Sequence, residues 1–401
     1  MQCISGYYCF QQNAWYHQCI PGQAASTTLR TSTTSLPPPS TTTSTPPTTT
    51  STSGNPFSLG QAFVNPIYRQ KLEETYNSLT ARGEAAAART VRKVQDVASF
   101  VWIANLASLP AIDTTIAAAR ARQQQTGVRQ VVGMVLYNLP DRDCSGGEAL
   151  GEFDSAQGGM DRYKNEFVRP YAEKLAAASD LTFVVVVEPD AIGNIVANQA
   201  VEFCRRAAPV YEAGIAHTLS TLRSPNVNLY LDIAHGGWLG WAGNLQPTAA
   251  AIGKILRLAG SAPRLRGFST NVSYVNQFKA EAPEPFMVDN VSWDESHYVS
   301  NIAPYLQAEG LPTRFIVDQG RVAVPGTRDA WSEWCNVSPA GFGTPAGTPV
   351  DNPLVDSIVW IKPGGESDGR CGEIPGAPVA GSWFNAYAEM LARNAHASLR
   401  G

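Results

Sequence analysis

Residues 181–190 read Leu-Thr-Phe-Val-Val-Val-Val-Glu-Pro-Asp. The four valines between Phe183 and Glu188 are apolar on both faces. Such a run reads as a strand buried on both sides, the pattern of a parallel sheet and not of a half-solvated antiparallel one. Pro189 ends the ladder because it has no N–H to donate. Two carboxylates, Glu188 and Asp190, are left where the buried strand stops, and charge is costly there unless it is paired or used. Taken alone, the pair suits structural satisfaction by backbone donors or an arginine as well as it suits chemistry.

Working outward, further apolar runs occupy residues 100–104, 131–137, 227–233, 265–269, 314–318 and 357–361. Helix-like stretches at 114–125, 161–178, 203–222, 247–258, 295–309 and 382–398 separate or follow them. Buried strands alternating with helices predict an α/β fold with a parallel sheet. Seven units with no glycine-rich turn after the first strand favour a β/α barrel over a dinucleotide fold, and speak against nucleotide chemistry.

The chain has 401 residues, of which 44% are hydrophobic and 16% charged, with a net charge of −4. That suffices for one large core with accessories. A weak acidic balance gives no footprint for nucleic acid or an anionic membrane, and no apolar run approaches the length of a transmembrane helix. Neither a CxxC pair nor a Cys/His cluster with zinc spacing occurs among the seven cysteines and five histidines. No metal and no cofactor are therefore expected, and disulfides in an oxidising compartment fit the cysteines better. We expect a soluble monomer.

Residues 1–22 hold three cysteines and five aromatics, too short a piece to form a core without cross-links. Residues 23–54 are almost wholly Ser, Thr and Pro, which predicts an extended, disordered and O-glycosylated linker. The domain boundaries are thus placed at 1–22, 23–54 and 55–401.

In a parallel barrel the reactive groups gather at the C-terminal strand ends. Here those ends carry Trp102, then Tyr137 to Cys144, Glu188-Pro189-Asp190, and Asp232 with His235 to Trp241. Thr270-Asn271, Asp318 to Arg321, and Lys362 to Asp368 follow. Singly, each could be a cap or turn residue. Together, acids and tryptophans on one rim suit a polysaccharide, because sugar rings lay their C–H faces on aromatic planes.

Two resemblances sharpen this reading. The pattern Cys3…Gly6…Cys9…Asn13-Ala14-Trp15-Tyr16…Gln18-Cys19 resembles fungal family 1 cellulose-binding modules, with the family's first cysteine and first ring missing. It implies a Cys3–Cys19 bridge, an unpaired Cys9, and Trp15 and Tyr16 as ring positions on cellulose. Met1 then falls inside a longer secreted precursor, the signal peptide being absent from the chain given. The second resemblance covers residues 55–401 and rests on YNLPDRDC (137–144), VEPD (187–190), YLDIAHGGWLGW (230–241), DQGR (318–321), WCNVSPAGFG (334–343) and KPGGESDG (362–369). These stretches are similar to glycoside hydrolase family 6, the fungal cellulases.

That second resemblance implies a distorted seven-stranded barrel that cuts β-1,4-glucan with inversion. It implies Asp190 as general acid, Asp143 beside it, Tyr137 pressing on the sugar at the cleavage point, and Asp368 as candidate base. Asp232 and Arg142 would hold the acid pair in a hydrogen-bond network, with Arg321 in support. Trp102, Asp232, His235, Trp238, Trp241, Asn271, Trp334, Lys362 and Glu366 would bind substrate. Cys144 would pair with Cys204, and Cys335 with Cys371. An inverting pair needs room for water, so its carboxyls stand about 6.5–9.5 Å apart. Partners would be cellulose and soluble β-1,4-glucans.

The segment from Lys362 to Trp383 is short, which favours an open cleft and endo action over the tunnel of an exo-acting cellobiohydrolase. Gly365-Glu366-Ser367-Asp368-Gly369 formally matches the G-x-S-x-G elbow of serine esterases, but lacks its strand–turn–helix setting. A binding protein that had lost its chemistry would not need Asp143, Asp190 and Asp368 together. Sequons fall at Asn271, Asn290 and Asn336, of which Asn290 is the preferred glycosylation site.

Overall fold

A computed structural model describes residues 54–260 and 264–401, together with the backbone of β1 (Tyr7–Gln11) and β2 (His17–Pro21), an antiparallel pair. The expected Cys3–Cys19 bridge, the ring positions Trp15 and Tyr16, and nearly all of the linker lie outside the described residues.

The remaining strands form one parallel sheet: β3 (Gln61–Ala62), β4 (Val101–Ile103), β5 (Gln130–Leu136), β6 (Thr182–Val187), β7 (Val227–Asp232), β8 (Leu265–Thr270), β9 (Phe315–Asp318) and β10 (Val355–Val359). All seven expected strands are present, and β3 is an eighth that two residues could not announce. The order is β10-β9-β8-β7-β6-β5, with β3 and β4 sharing the far edge of β5.

The sheet curls into a half-barrel. Among the described residues no strand ladder joins β4 to β10, but Phe100 N donates to Trp360 O (2.9 Å) across the seam and Trp102 Nε1 to Ile361 O (2.8 Å). The valines of β6 explain the curl's interior. Val184 and Val186 point inward with Val131, Val135, Tyr230, Ile316 and Val359, whereas Phe183, Val185 and Val187 join the cluster beneath the helices. That alternation, apolar on both sides, is why the strand reads as an unbroken run.

Outside the sheet lie α1 (Pro66–Ala81), α2 (Ala85–Val94), α3 (Pro110–Thr126), α4 (Gly159–Arg162), a π-helical turn (Tyr163–Val168), α5 (Arg169–Ala177), α6 (Ala191–Ala197), α7 (Glu202–Thr221), α8 (Gly236–Leu239), α9 (Ala242–Ala259), α10 (Glu295–Ala308) and α11 (Asn385–Arg393). Helices α1 and α2 were not expected from periodicity. Asn65 caps α1 by accepting from Ile67 N (3.0 Å), with Pro66 at the first helical position. Tyr68, Leu72, Leu79, Val91 and Val94 bury against Tyr387 and Leu391 of α11. From there Tyr68 OH reaches Gly364 O (2.8 Å) and Lys71 Nζ reaches Glu366 (2.7 Å), bracing the loop after β10. No helix among the described residues is long and apolar enough to cross a membrane.

Candidate active site

A cavity of about 1020 Å³ opens at the C-terminal end of the strands. Tyr137, Arg142, Asp143, Asp190, His235, Trp102, Trp238, Trp334, Lys362, Glu366 and Asp368 all line it, so eleven of the expected residues share one groove.

Glu188 and Asp190, side by side in the sequence, part company at Pro189. Glu188 is fully buried on the helix side, accepting from Asn138 N, Leu139 N and Tyr163 OH. It is the structural member of the pair, and burial pushes its carboxyl up to about 7. Asp190 turns into the groove with a left-handed backbone (φ 67°), its N–H held by Asp232 Oδ1 at 2.9 Å. The residue keeps some contact with the cavity, yet its Oδ1 is buried and has no hydrogen-bond partner. Burial first, then the negative charges of Asp232, Asp143 and Asp368, hold its carboxyl well above the ordinary range, with Lys362 opposing them. The neighbouring acid expected to matter most, Asp143, ranks behind both burial and Asp232.

Asp143 has its carboxylate wrapped by its own loop, with Oδ2 accepting from Ala149 N at 2.6 Å. Burial nevertheless raises it from the usual value. The loop can close this tightly because Gly146 has no Cβ, which would otherwise stand 2.4 Å from Asp143 Oδ1.

Asp368 is held differently on its two oxygens. Oδ2 accepts from Arg321 Nη1 (2.7 Å) and Asn336 N (2.9 Å). Oδ1 is buried without a hydrogen bond, 3.7 Å from Lys362 Nζ. Arg321 thus supports the candidate base while lying behind the cavity wall. Lys362 is kept below its usual pKa by burial and donates to Ser367 O (3.0 Å).

Several expectations need correcting. Asp232 is fully buried and satisfied by Asp190 N, Ala234 N and Ser269 Oγ, so it holds the Asp190 backbone from behind and does not line the cavity. Asn271 is equally buried, bonded to Asn276 and Asp318 through both ends of its amide. Trp241 packs inside the fold, 1% exposed, with Nε1 donating to Gly237 O (2.9 Å); of the two tryptophans in that loop, Trp238 is the one that lines the cavity. Arg142 does not bond the acids. Its guanidinium donates to the carbonyls of Ala104, Tyr137 and Ala149 and lies 4.3 Å over the Tyr137 ring, so it fixes the loop and ring instead. Asn290 is 2% exposed with Nδ2 donating to Gly236 O (2.8 Å), which removes it as a glycosylation site. Ser367 is buried and its hydroxyl donates to Gly369 O and Pro378 O (2.9 Å each), which leaves no esterase nucleophile.

The two expected disulfides, Cys144–Cys204 and Cys335–Cys371, are present. The first anchors the loop after β5 to α7, and the second ties the segment bearing Trp334 to the segment after Asp368. Residues that sequence reasoning missed include Tyr274, whose ring lies 3.8 Å from that of His235, the exposed Trp331, and the buried Arg328. Isolated aromatic or basic residues in irregular loops carry no periodic signal. Tyr274 and Arg328 are visible only once the loops converge.

With this geometry in view, the comparisons with known proteins are decisive. The family model described as "Glycosyl hydrolases family 6" matches residues 57–395. The chain belongs to this family. A 1,4-beta-D-glucan cellobiohydrolase of Podospora anserina is 50% identical over 86% of this chain and 83% of its own length. An endoglucanase of Humicola insolens is 51% identical over 86% of this chain and 98% of its own. The solved structure of that Humicola insolens endoglucanase superposes with a TM-score of 0.83 at 50% identity, covering 86% of this chain and 100% of the other. A Humicola insolens cellobiohydrolase II in complex with glucose and cellotetraose gives 0.78 at 34%, covering 85% and 99%. Endo- and exo-acting names therefore stand side by side among the family 6 relatives.

Proposed function

We propose that this family 6 hydrolase cleaves β-1,4-glucosidic bonds of cellulose and soluble glucans with inversion. The observation that carries the reading is Asp190 Oδ1: a buried carboxyl oxygen, unpartnered and raised in pKa, in a cavity lined with Trp102, Trp238 and Trp334. A carboxyl that keeps its proton near neutral pH can give it to a glycosidic oxygen. Asp368, with one oxygen fixed by Arg321 and the other without a hydrogen bond, is the base acting on water on the opposite side of the sugar. Tyr137, set by Arg142 and edge-on to Trp102 at 5.6 Å, presses on the sugar at the cleavage point. His235, Lys362 and Glu366 supply polar contacts along the groove.

The cleft acts on internal bonds in this reading, which the short segment from Lys362 to Trp383 supports. Exo action is the second reading, favoured by Glu148, which reaches across the rim to accept from Arg370 N at 2.9 Å. Viscosity of carboxymethylcellulose plotted against reducing ends separates them. A steep early fall is expected; a proportionate slow fall would establish the exo reading instead. The proposal extends to a secreted protein, consistent with its disulfides, with catalytic residues 55–401 following the linker and a cellulose-binding remnant.

A further inference from the structure

Arg328 is a charged residue, 2% exposed, that belongs to none of the motifs shared with family 6. It lines the cavity, lies 5.3 Å from the Phe286 ring, and its Nη2 donates to Asn276 Oδ1 (2.5 Å) and Glu284 Oε2 (2.6 Å). A guanidinium can only donate. Asn276 must therefore turn its oxygen toward Arg328 and its nitrogen away. That nitrogen meets His235 Nδ1 (2.9 Å) and Glu295 Oε1 (2.9 Å). Gly237 N, another obligate donor, also reaches Nδ1, at 3.1 Å. Nδ1 thus carries a lone pair, and the ring proton sits on Nε2 of a residue that lines the groove.

We infer that Arg328 is a positioning residue: through Asn276 it holds His235 as a neutral Nε2–H donor for a sugar oxygen in the groove. The sugar rests on the proposed glucan hydrolysis; the tautomer does not. Glu295 cannot do this work alone, because burial raises its carboxyl to about 7 and, once protonated, it no longer compels the amide nitrogen to face it. A guanidinium, unlike a carboxyl, offers donors only. Burial, assisted by Arg328, keeps His235 well below its ordinary pKa, consistent with a neutral ring.

Imidazole nitrogen NMR of the full labelled chain tests this, with the His235 signals assigned by their loss in His235→Gln. The wild type should show the Nε2–H pattern without substrate. Arg328→Met leaves Glu284 facing the Asn276 oxygen and should let the amide turn, so that only the longer Gly237 N–H contact (3.1 Å) still opposes a proton on Nδ1 and an Nδ1–H population of His235 appears. Its kcat/KM on cellotetraose should fall about tenfold, the size of one hydrogen bond to a sugar, with Arg328→Lys restoring most of it. Asn276→Asp places an oxygen with no hydrogen against Nδ1 and should draw a proton onto that nitrogen. An unchanged Nε2–H pattern in folded Arg328→Met overturns the inference, even if turnover falls. Should Arg328→Met not fold, an unchanged pattern in Asn276→Asp overturns it equally. The spectra are read without substrate, so a failure of the glucan reading would not be mistaken for a failure of this one.

Discussion

Asp190→Asn is the perturbation that bears most directly on the chemistry. The change keeps the shape of the side chain and removes the proton. Assistance by a positioned general acid is worth about 10²–10⁴ in rate, which is roughly 3–5 kcal/mol of transition-state stabilisation. The loss should depend on the leaving group. A glucose hydroxyl leaves only with a proton, whereas a dinitrophenolate leaves without one. The variant should therefore lose the full factor on cellotetraose and far less on a dinitrophenyl cello-oligoside, measured as kcat under saturating substrate. Stability should move the other way. Asp190 Oδ1 is buried beside Asp232, Asp143 and Asp368, and its carboxyl is held well above the ordinary range. Folding resists an ionisation that the unfolded chain undergoes freely, a cost that asparagine does not bear. Calorimetry at pH 7 should give an unchanged or raised Tm. Equal losses on both leaving groups would refute the assignment, since they would mean that Asp190 binds or shapes the cleft and does not donate.

Two further outcomes follow from the buried groups. Burial raises Glu188, Asp232 and Glu295 to about 7 each, and at about 1.4 kcal/mol per pKa unit the shifts are on the order of 3–5 kcal/mol. The folded state keeps protons that the unfolded chain releases near pH 4, so this stability is complete below the unfolded values and is lost as pH rises through about 7. Tm should be higher at pH 5 than at pH 8, and a flat or rising profile would contradict the burial of these acids. The two tryptophans of the 235–241 loop should separate cleanly. Trp241→Ala, at a fully buried ring, should cost about 3–5 kcal/mol in chemical denaturation, with KM unchanged in the folded fraction. Trp238→Ala should leave Tm nearly intact and raise KM on cello-oligosaccharides; the reverse pattern would exchange their roles.

Much of this protein could be read before its coordinates. The four valines of β6 announce a strand covered on both sides, and a shorter or mixed apolar run overlaps every other strand of the curled sheet except β3. The rim was legible because strand ends and polar residues coincide. What could not be read is which way a side chain turns once the regular structure stops. Trp238 and Trp241 are alike in a glycine-rich stretch, but Trp241 finds the Gly237 carbonyl inside the fold and Trp238 does not. Arg142 stands next to Asp143, a pairing that suggests a salt bridge, yet four backbone carbonyls capture its guanidinium. Asn290 looks like a loop sequon and is consumed by a backbone contact. Helices α1 and α2 are held by packing against α11, a partner about 300 residues away in sequence, and such a contact leaves no local signal.

The backbone at the rim explains why chemistry and loop conformation cannot be varied separately here. Eight non-glycine residues among those described have positive φ: Asp141, Asp143, Glu188, Asp190, Ala234, Asn271, Ser273 and Asn336. Seven follow directly on β5, β6, β7 and β8, and Asn336 donates its own N–H to Asp368. A left-handed residue costs roughly 1–2 kcal/mol relative to glycine. Glycine would relieve that strain but has no side chain to hold a proton or orient one. Asp and Asn tolerate this region best, and six of the eight positions are Asp, Asn or Glu. The sharp turn at each strand end is what brings Asp143 and Asp190 into one groove, while the donors Asn138, Leu139 and Ala234 are spent on the acids behind it. Local strain at the rim is thus coupled to the carboxylate positions, and it can persist because the β5–β9 ladders beneath it are buried at every residue but Gly133.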